Sequence, residues 1–311
     1  MASKLKPRVG IVGLGLIGGS LALALRAAGA ARELRAWDRC GAVLRRGLAL
    51  GVIDSASASL AQLMERVDVA ILAAPTLACE DLLRRMLREP GAAAWVMDVA
   101  SVKGPLCAVA ASLGRARAAR YVPAHPIAGS ERSGVQAAHA ELFCDHRVIL
   151  TPTEASDPAL VARAGALWAA VGARVSRMAV EEHDAVLAAT SHLPHVLAYA
   201  LVDALARGAA RDDVFRFAAG GFRDFTRIAS SDPIMWRDIA IANREALLGR
   251  IDEFSERLAA LRAAIARRDG DALEATFRHA KAARDEFARD LRRRRAGADR
   301  DARAARKADS A

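Results

Sequence analysis

The stretch Arg8-Val9-Gly10-Ile11-Val12-Gly13-Leu14-Gly15-Leu16-Ile17-Gly18 decides the fold. Its first five residues read as a short buried strand. They pass directly into glycines spaced G-x-G-x-x-G and then into an Ala- and Leu-rich helix that ends at Gly29. In a dinucleotide-binding turn the three glycines do different things. Gly13 permits the tight turn, Gly15 lets a pyrophosphate approach the backbone, and Gly18 allows the helix to pack closely on the strand. The N-terminus of the helix then faces the phosphates. Asp38 follows at the end of a second strand, twenty residues after Gly18. A carboxylate there accepts hydrogen bonds from the adenosine ribose and repels a 2′-phosphate, which favours NAD. Arg39 pulls the other way, since a neighbouring Arg accommodates the phosphate of NADP. The expected cofactor site is therefore Gly13 to Gly18 with Asp38 and Arg39; the competing reading is a tight strand-to-helix turn with no ligand.

Outward from this unit, short apolar runs alternate with amphipathic stretches, as in a parallel sheet wrapped by helices. Strands are expected at Arg8 to Val12, Glu33 to Asp38, Asp68 to Ala74, Ala94 to Val99, Arg120 to Pro123, Arg147 to Thr151 and Arg174 to Met178. After Ala179 the pattern turns helical, through Glu181 to Arg207, Asp212 to Ala219 and Pro233 to Arg292. The expected architecture is an α/β Rossmann-type dinucleotide-binding domain over 1–180. An all-helical substrate and dimerisation domain over 181–295 follows, then a charged, unstructured tail over 296–311.

The chain has 311 residues, 53% of them hydrophobic, enough for two domains of ordinary size. Its formal charge of +10 invites a nucleic-acid reading. Position argues against specific binding: eleven Lys or Arg against six Asp or Glu lie between Lys281 and Ala311, so about half of the excess sits at one end. The four cysteines, Cys40, Cys79, Cys107 and Cys144, are scattered without a C-x-x-C pair, which suggests neither a disulfide framework nor a zinc site. No uninterrupted apolar span and no apolar leader is read, so a cytoplasmic protein without a membrane partner is expected.

Two loops at the carboxyl ends of later strands are rich in polar residues, where doubly wound sheets bind ligands. They are Asp98-Val99-Ala100-Ser101-Val102-Lys103-Gly104 and Ala124-His125-Pro126-Ile127-Ala128-Gly129-Ser130-Glu131-Arg132-Ser133-Gly134-Val135. A dehydrogenase needs a base for the hydroxyl proton, and the reference pKa of His lies nearest neutrality. His125 is placed to be that base, against a plain turn residue as the bland reading. Lys103 either contacts cofactor or solvates a helix start.

These loops, with the fingerprint, Ser191-His192-Leu193-Pro194-His195, Phe225-Thr226-Arg227-Ile228-Ala229 and Asp232-Pro233-Ile234-Met235-Trp236, resemble the prephenate dehydrogenases, including cyclohexadienyl and arogenate variants, over roughly 6–285. The resemblance implies NAD-dependent oxidation and decarboxylation of prephenate to 4-hydroxyphenylpyruvate on the route to tyrosine, or the action on arogenate that gives tyrosine. It implies a homodimer joined through the helical domain. His125 looks like the catalytic base and Ser101 like the serine that contacts the same hydroxyl. Arg227 matches the arginine that grips a substrate carboxylate, suited by its paired hydrogen bonds. Arg223, His195 and His192 fall among the substrate-binding positions, and Glu131 and Asp184 resemble acids forming an ion network with the arginine. Trp236 reads as a core or subunit-contact aromatic. A metal held by His192 and His195 finds no third ligand nearby in sequence, and none is expected. A β-hydroxyacid-type dehydrogenase needs a lysine base from the helical domain, yet no Lys occurs between Lys103 and Lys281. A non-catalytic NAD-binding module is the remaining alternative.

Overall fold

The structure is a computed structural model that describes residues 6–89, 94–130, 132–208 and 211–308, by backbone alone at 211, 212, 214 and from 294 onward. Six strands, β1 (Arg8–Val12), β2 (Glu33–Trp37), β3 (Ser55–Ala56), β4 (Val69–Leu72), β5 (Trp95–Asp98) and β6 (Tyr121–Val122), form one parallel sheet in the order β3-β2-β1-β4-β5-β6. The helices between them are α1 (Leu16–Ala27), α2 (Gly41–Ala49), α3 (Leu60–Arg66), α4 (Thr76–Arg88), α5 (Gly104–Ser112) and α6 (Arg115–Ala118). This is the doubly wound order, whose direction reverses between β1 and β4 and opens a crevice at their carboxyl ends.

The alternation of side chains across the sheet explains why its strands read as nearly continuous apolar runs. Val9 and Ile11 join Val69, Ile71, Trp95 and Met97 in one core with α1, whereas Val12, Ala70, Leu72 and Val96 join Leu63, Leu83 and Met86 on the opposite face. Both faces are covered, so no polar alternation survives.

A second sheet of three strands carries β7 (Ala124–Pro126), β8 (Arg147–Leu150) and β9 (Arg174–Arg177), with α7 (Pro158–Ala170) between the last two. His125 was expected in a loop; instead it sits within β7, opposite Ile149 on antiparallel β8. Strands β3 and β7 also escaped the sequence reading. Two or three residues are too few to show a period, and β7 contains a proline.

Beyond β9 the chain is helical: α8 (Val180–Leu187), a π-helical turn (Ala188–His192), α9 (Leu193–Ala206), α10 (Arg211–Arg216), α11 (Gly220–Thr226), a 3₁₀ turn (Arg227–Ser230), α12 (Pro233–Ala242), α13 (Arg244–Ala266) and α14 (Gly270–Ala308). Helix α14 continues through 296–308, where an unstructured tail was expected; Ala and Arg are strong helix formers. The continuous helix Val180–Ala206 is long and apolar enough to cross a membrane by composition alone, contrary to the expectation of no such span. Its His183, Asp184 and His192 are nevertheless buried and hydrogen-bonded to other parts of the same unit. Two compact units emerge, one through Arg250 and one from Ile251. The change to helical chain near residue 180 is therefore not where compactness divides, because α8 packs on α5 and α12 on α4. The second unit leaves Leu258, Ile265, Phe277 and Phe287 exposed.

Candidate active site

The turn after β1 has the geometry of a phosphate cradle. Gly13 adopts φ +94°, and a Cβ there would lie 2.7 Å from the Ala73 carbonyl oxygen. At Gly18 a Cβ would meet the Gly13 carbonyl oxygen at 2.3 Å. Both glycines are thus required by the protein's own packing. At Gly15 nothing lies within 4 Å, so its missing side chain leaves open space at the N-terminus of α1. That terminus has neither a side-chain cap nor an acidic residue in its first turn. Its unsatisfied N–H groups and the space before them fit a dinucleotide pyrophosphate. Leu14 is fully buried and packs in the core beneath the turn, so its side chain does not face a cofactor. Asp38 Oδ2 accepts the Leu14 N–H at 2.9 Å and Oδ1 the Cys40 N–H at 2.8 Å. The carboxylate therefore organises the turn while each oxygen keeps a lone pair for a ribose hydroxyl. Arg39 is exposed.

His125 is 8% exposed, and its Nδ1 lies 2.9 Å from His183 Nε2. His183 Nδ1 is in turn 2.7 Å from Asp184 Oδ1. A carboxylate accepts only, so His183 donates from Nδ1, its Nε2 accepts, and His125 donates from Nδ1. The lone pair of His125 is left on Nε2. Burial pushes the Asp184 carboxyl up, but hydrogen bonds from His183 and from the Gly104 and Lys103 N–H groups outweigh this and hold it below the usual carboxylate range. Burial, then the charge of Lys103, then His183 and His192, lower the His125 pKa well below 6.5. The imidazole is a neutral base.

His183 was missed in the sequence; an adjacent His-Asp pair at a helix start was its only signal. Asp184 was expected in an ion network with Arg227. It is instead buried, occupied by the first N–H groups of α5 and by His183, because α8 packs on that helix end. Lys103 neither solvates a helix start nor reaches toward a cofactor. It is fully buried, its ammonium bonded to Asp98 and, at 2.7 Å, to the Ala124 carbonyl. Ser101 is half-buried between Ala100, whose N–H binds Asp98, and Lys103.

The helical side joins through Asn243, whose amide donates to the Asp184 carbonyl at 2.9 Å and to His192 Nδ1 at 3.0 Å. His192 is 1% exposed and its pKa falls to about 4, chiefly by burial and despite Asp184. It is a packed residue, not a pocket-lining one. His195 donates from Nδ1 to the Ser191 carbonyl at 2.9 Å and stacks on Trp236 with ring centres 3.5 Å apart. Burial lowers its pKa, partly offset by that bond, and the nearby charge of Arg227 lowers it further. Arg227 is exposed on the 3₁₀ turn, and Arg223 is exposed one turn earlier, 3.6 Å from Asp224. Glu131 lies outside the described residues. Among the described residues no three His, Cys, Asp or Glu gather as metal ligands would.

A doubly wound sheet with this cradle and a buried histidine base at its carboxyl edge defines a dinucleotide-dependent oxidoreductase. The sequence model described as prephenate dehydrogenase, nucleotide-binding domain, matches residues 21–177, and that of the prephenate dehydrogenase dimerization domain matches 179–279. The chain belongs to the prephenate dehydrogenase family of NAD-dependent oxidoreductases. It is 36% identical over 278 residues to a cyclohexadienyl dehydrogenase of Zymomonas mobilis, covering 89% of this chain and 94% of the relative. It is 35% identical over 291 residues to a prephenate dehydrogenase of Bacillus subtilis, covering 91% and 76%. The crystal structure of a prephenate dehydrogenase from A. aeolicus with hydroxyphenyl propionate and NAD+ superposes with a TM-score of 0.83 at 35% identity, covering 92% of this chain and 99% of that one.

Proposed function

We propose that this chain catalyses the NAD-dependent oxidative decarboxylation of prephenate to 4-hydroxyphenylpyruvate in tyrosine biosynthesis, as a cytoplasmic homodimer. The observation that carries the reading is the line Asp184–His183–His125, which leaves the free lone pair of a buried imidazole on Nε2. The cradle at Gly13 to Gly18 holds the pyrophosphate, and Asp38 the ribose. NAD, when bound there, would supply the acceptor for the hydride of the ring carbinol carbon. His125 Nε2 takes the hydroxyl proton as that carbon becomes a carbonyl, and Ser101 orients the hydroxyl. The bond to the ring carboxylate then breaks, its electrons make the ring aromatic, and carbon dioxide leaves. The new phenol oxygen needs one proton, and His125 carries one. A buried imidazole with a low pKa holds a proton poorly, so it returns it readily. Arg227, with Arg223 and His195, supplies the cationic and hydrogen-bonding side for the side-chain carboxylate.

Functionally we divide the chain at about residue 180, with 181–295 as substrate and dimerisation domain. The homodimer is supported by the exposed apolar side chains from Leu258 to Phe287 and by the dimerization-domain match. All four cysteines are unpaired, in keeping with a reducing compartment. The test follows NADH formation at 340 nm with prephenate and, separately, arogenate. His125→Asn is expected to lower turnover by about 10² to 10⁴ with NAD binding intact. Turnover within threefold of the parent would remove His125 from the chemistry.

A further inference from the structure

Every atom of the Lys103 side chain is buried, yet the chemistry of hydride and proton transfer makes no direct use of it. Its ammonium bridges Asp98, also fully buried, and the carbonyl of Ala124. Asp98 completes a closed set: Oδ1 accepts the Tyr121 hydroxyl at 2.8 Å and the Ala124 N–H at 3.2 Å, and Oδ2 accepts the Ala100 N–H at 2.9 Å. The peptide groups of Ala124 are thereby gripped on both sides, one residue before His125. The backbone N–H of Lys103 donates to Asp184 Oδ1 at 2.9 Å, the same oxygen that holds His183. Lys103 thus fixes the strand that carries the base through its side chain, and the carboxylate that orients the base through its backbone.

We propose that Lys103, together with Asp98, is a positioning residue for His125, holding the β7 backbone and the Asp184–His183 line in one register so that Nε2 faces the substrate hydroxyl. Stability alone is a weak reason for such a pair, because a buried ion pair is often matched or exceeded by neutral residues of similar volume. The pair also stands where the loop after β5, strand β7 and helix α8 meet. Its electrostatic consequence follows from the same placement. The groups facing His125 are Lys103 from the β5–α5 loop, His183 from α8 and His192 from the π turn, and the ammonium is the strongest of the three in disfavouring the imidazolium.

The inference rests on His125 being the base, and its test is separable from that assignment. Lys103→Met alone strands a buried carboxylate, so the informative variant is Lys103→Met with Asp98→Asn, which neutralises both partners together. We expect kcat with prephenate to fall at least tenfold, and the Michaelis constants for prephenate and NAD to stay within threefold. The acid limb of kcat/KM should move to higher pH. Tyr121→Phe, which keeps both charges, should leave that limb in place. Imidazole titration of His125 by NMR in the substrate-free enzyme should show the same upward movement, and this readout needs no turnover. A folded double variant with kcat within twofold and an unmoved His125 titration overturns the proposal. A double variant that cannot fold assigns the pair to stability and overturns it equally.

Discussion

Replacing His183 with Phe probes the tautomer of His125 at its narrowest point. The substitution keeps a ring of similar volume between α8 and β7 but removes the acceptor 2.9 Å from His125 Nδ1. In the parent, the tautomer with its proton on Nδ1 is satisfied and its lone pair sits on Nε2. In the variant that tautomer buries an unpaired N–H, at a cost of about 1–3 kcal/mol. The competing tautomer places its proton on Nε2 and has no lone pair for the substrate. The fraction of competent enzyme, and with it kcat, should fall roughly 5- to 150-fold. Binding of NAD should not change, since the cradle after β1 shares no hydrogen bond with His183, and Asp184 keeps its two N–H donors from the start of α5. Steady-state rates at 340 nm give kcat, and ¹⁵N imidazole shifts give the tautomer. A kcat within twofold of the parent, or a large loss with the Nδ1–H tautomer intact, would rule out control of the tautomer by His183.

Three further outcomes are expected. The parent should prefer NAD over NADP by about 10²-fold, from two charge-assisted bonds of about 1.5 kcal/mol each. Asp38→Ser should erode that preference and also loosen the turn that Asp38 ties to Leu14 and Cys40; a parent that uses NADP equally well would overturn this role. Arg227→Ala should raise the Michaelis constant for prephenate by roughly 10- to 150-fold, the worth of a hydrogen bond to a charged group, with a smaller effect on kcat; an unchanged constant would make Arg227 structural only. His192, buried neutral with a pKa of about 4, binds fewer protons folded than unfolded below pH 6.5. Stability should therefore fall as pH drops from 6.5 toward 4, by about 2 kcal/mol at pH 5, and His192→Gln should flatten the loss. Urea melts from pH 7 to 5 measure it, and parallel slopes for parent and variant would contradict it.

The same sign reasoning moves the acid limb of catalysis. An unperturbed histidine would lose activity below about pH 6.5. Burial and the facing cation hold His125 neutral to lower pH, so kcat/KM should stay level through 6.5 and break only below it. A break at or above 6.5 would mean that the site in solution is more open than this.

Features encoded within one or two turns of chain were legible in the amino-acid order alone. The fingerprint from Gly13 to Gly18, Asp38 at the end of β2 and the apolar strands of the parallel sheet are local patterns, because a glycine turn, a helix start and a two-faced strand each need only neighbouring residues. His125, Ser101 and Arg227, the residues to which the proposed chemistry is given, stood out through motifs of the same short range. What those residues are joined to came from the tertiary structure. The partner of His125 lies 58 residues away, at His183, and Lys103, besides the nearby Asp98, is joined to Ala124 and Asp184, 21 and 81 residues away; no spacing rule links them. Hence Lys103, read as a cofactor contact or a solvated helix start, is a buried ion, and Asp184, read as a pocket acid, is the acceptor that ends the line from His125 through His183. His192 looked like a substrate contact and is sealed against Asn243. A buried polar group must find its partner wherever the fold brings one, and that partner is fixed by packing across elements rather than by order along the chain.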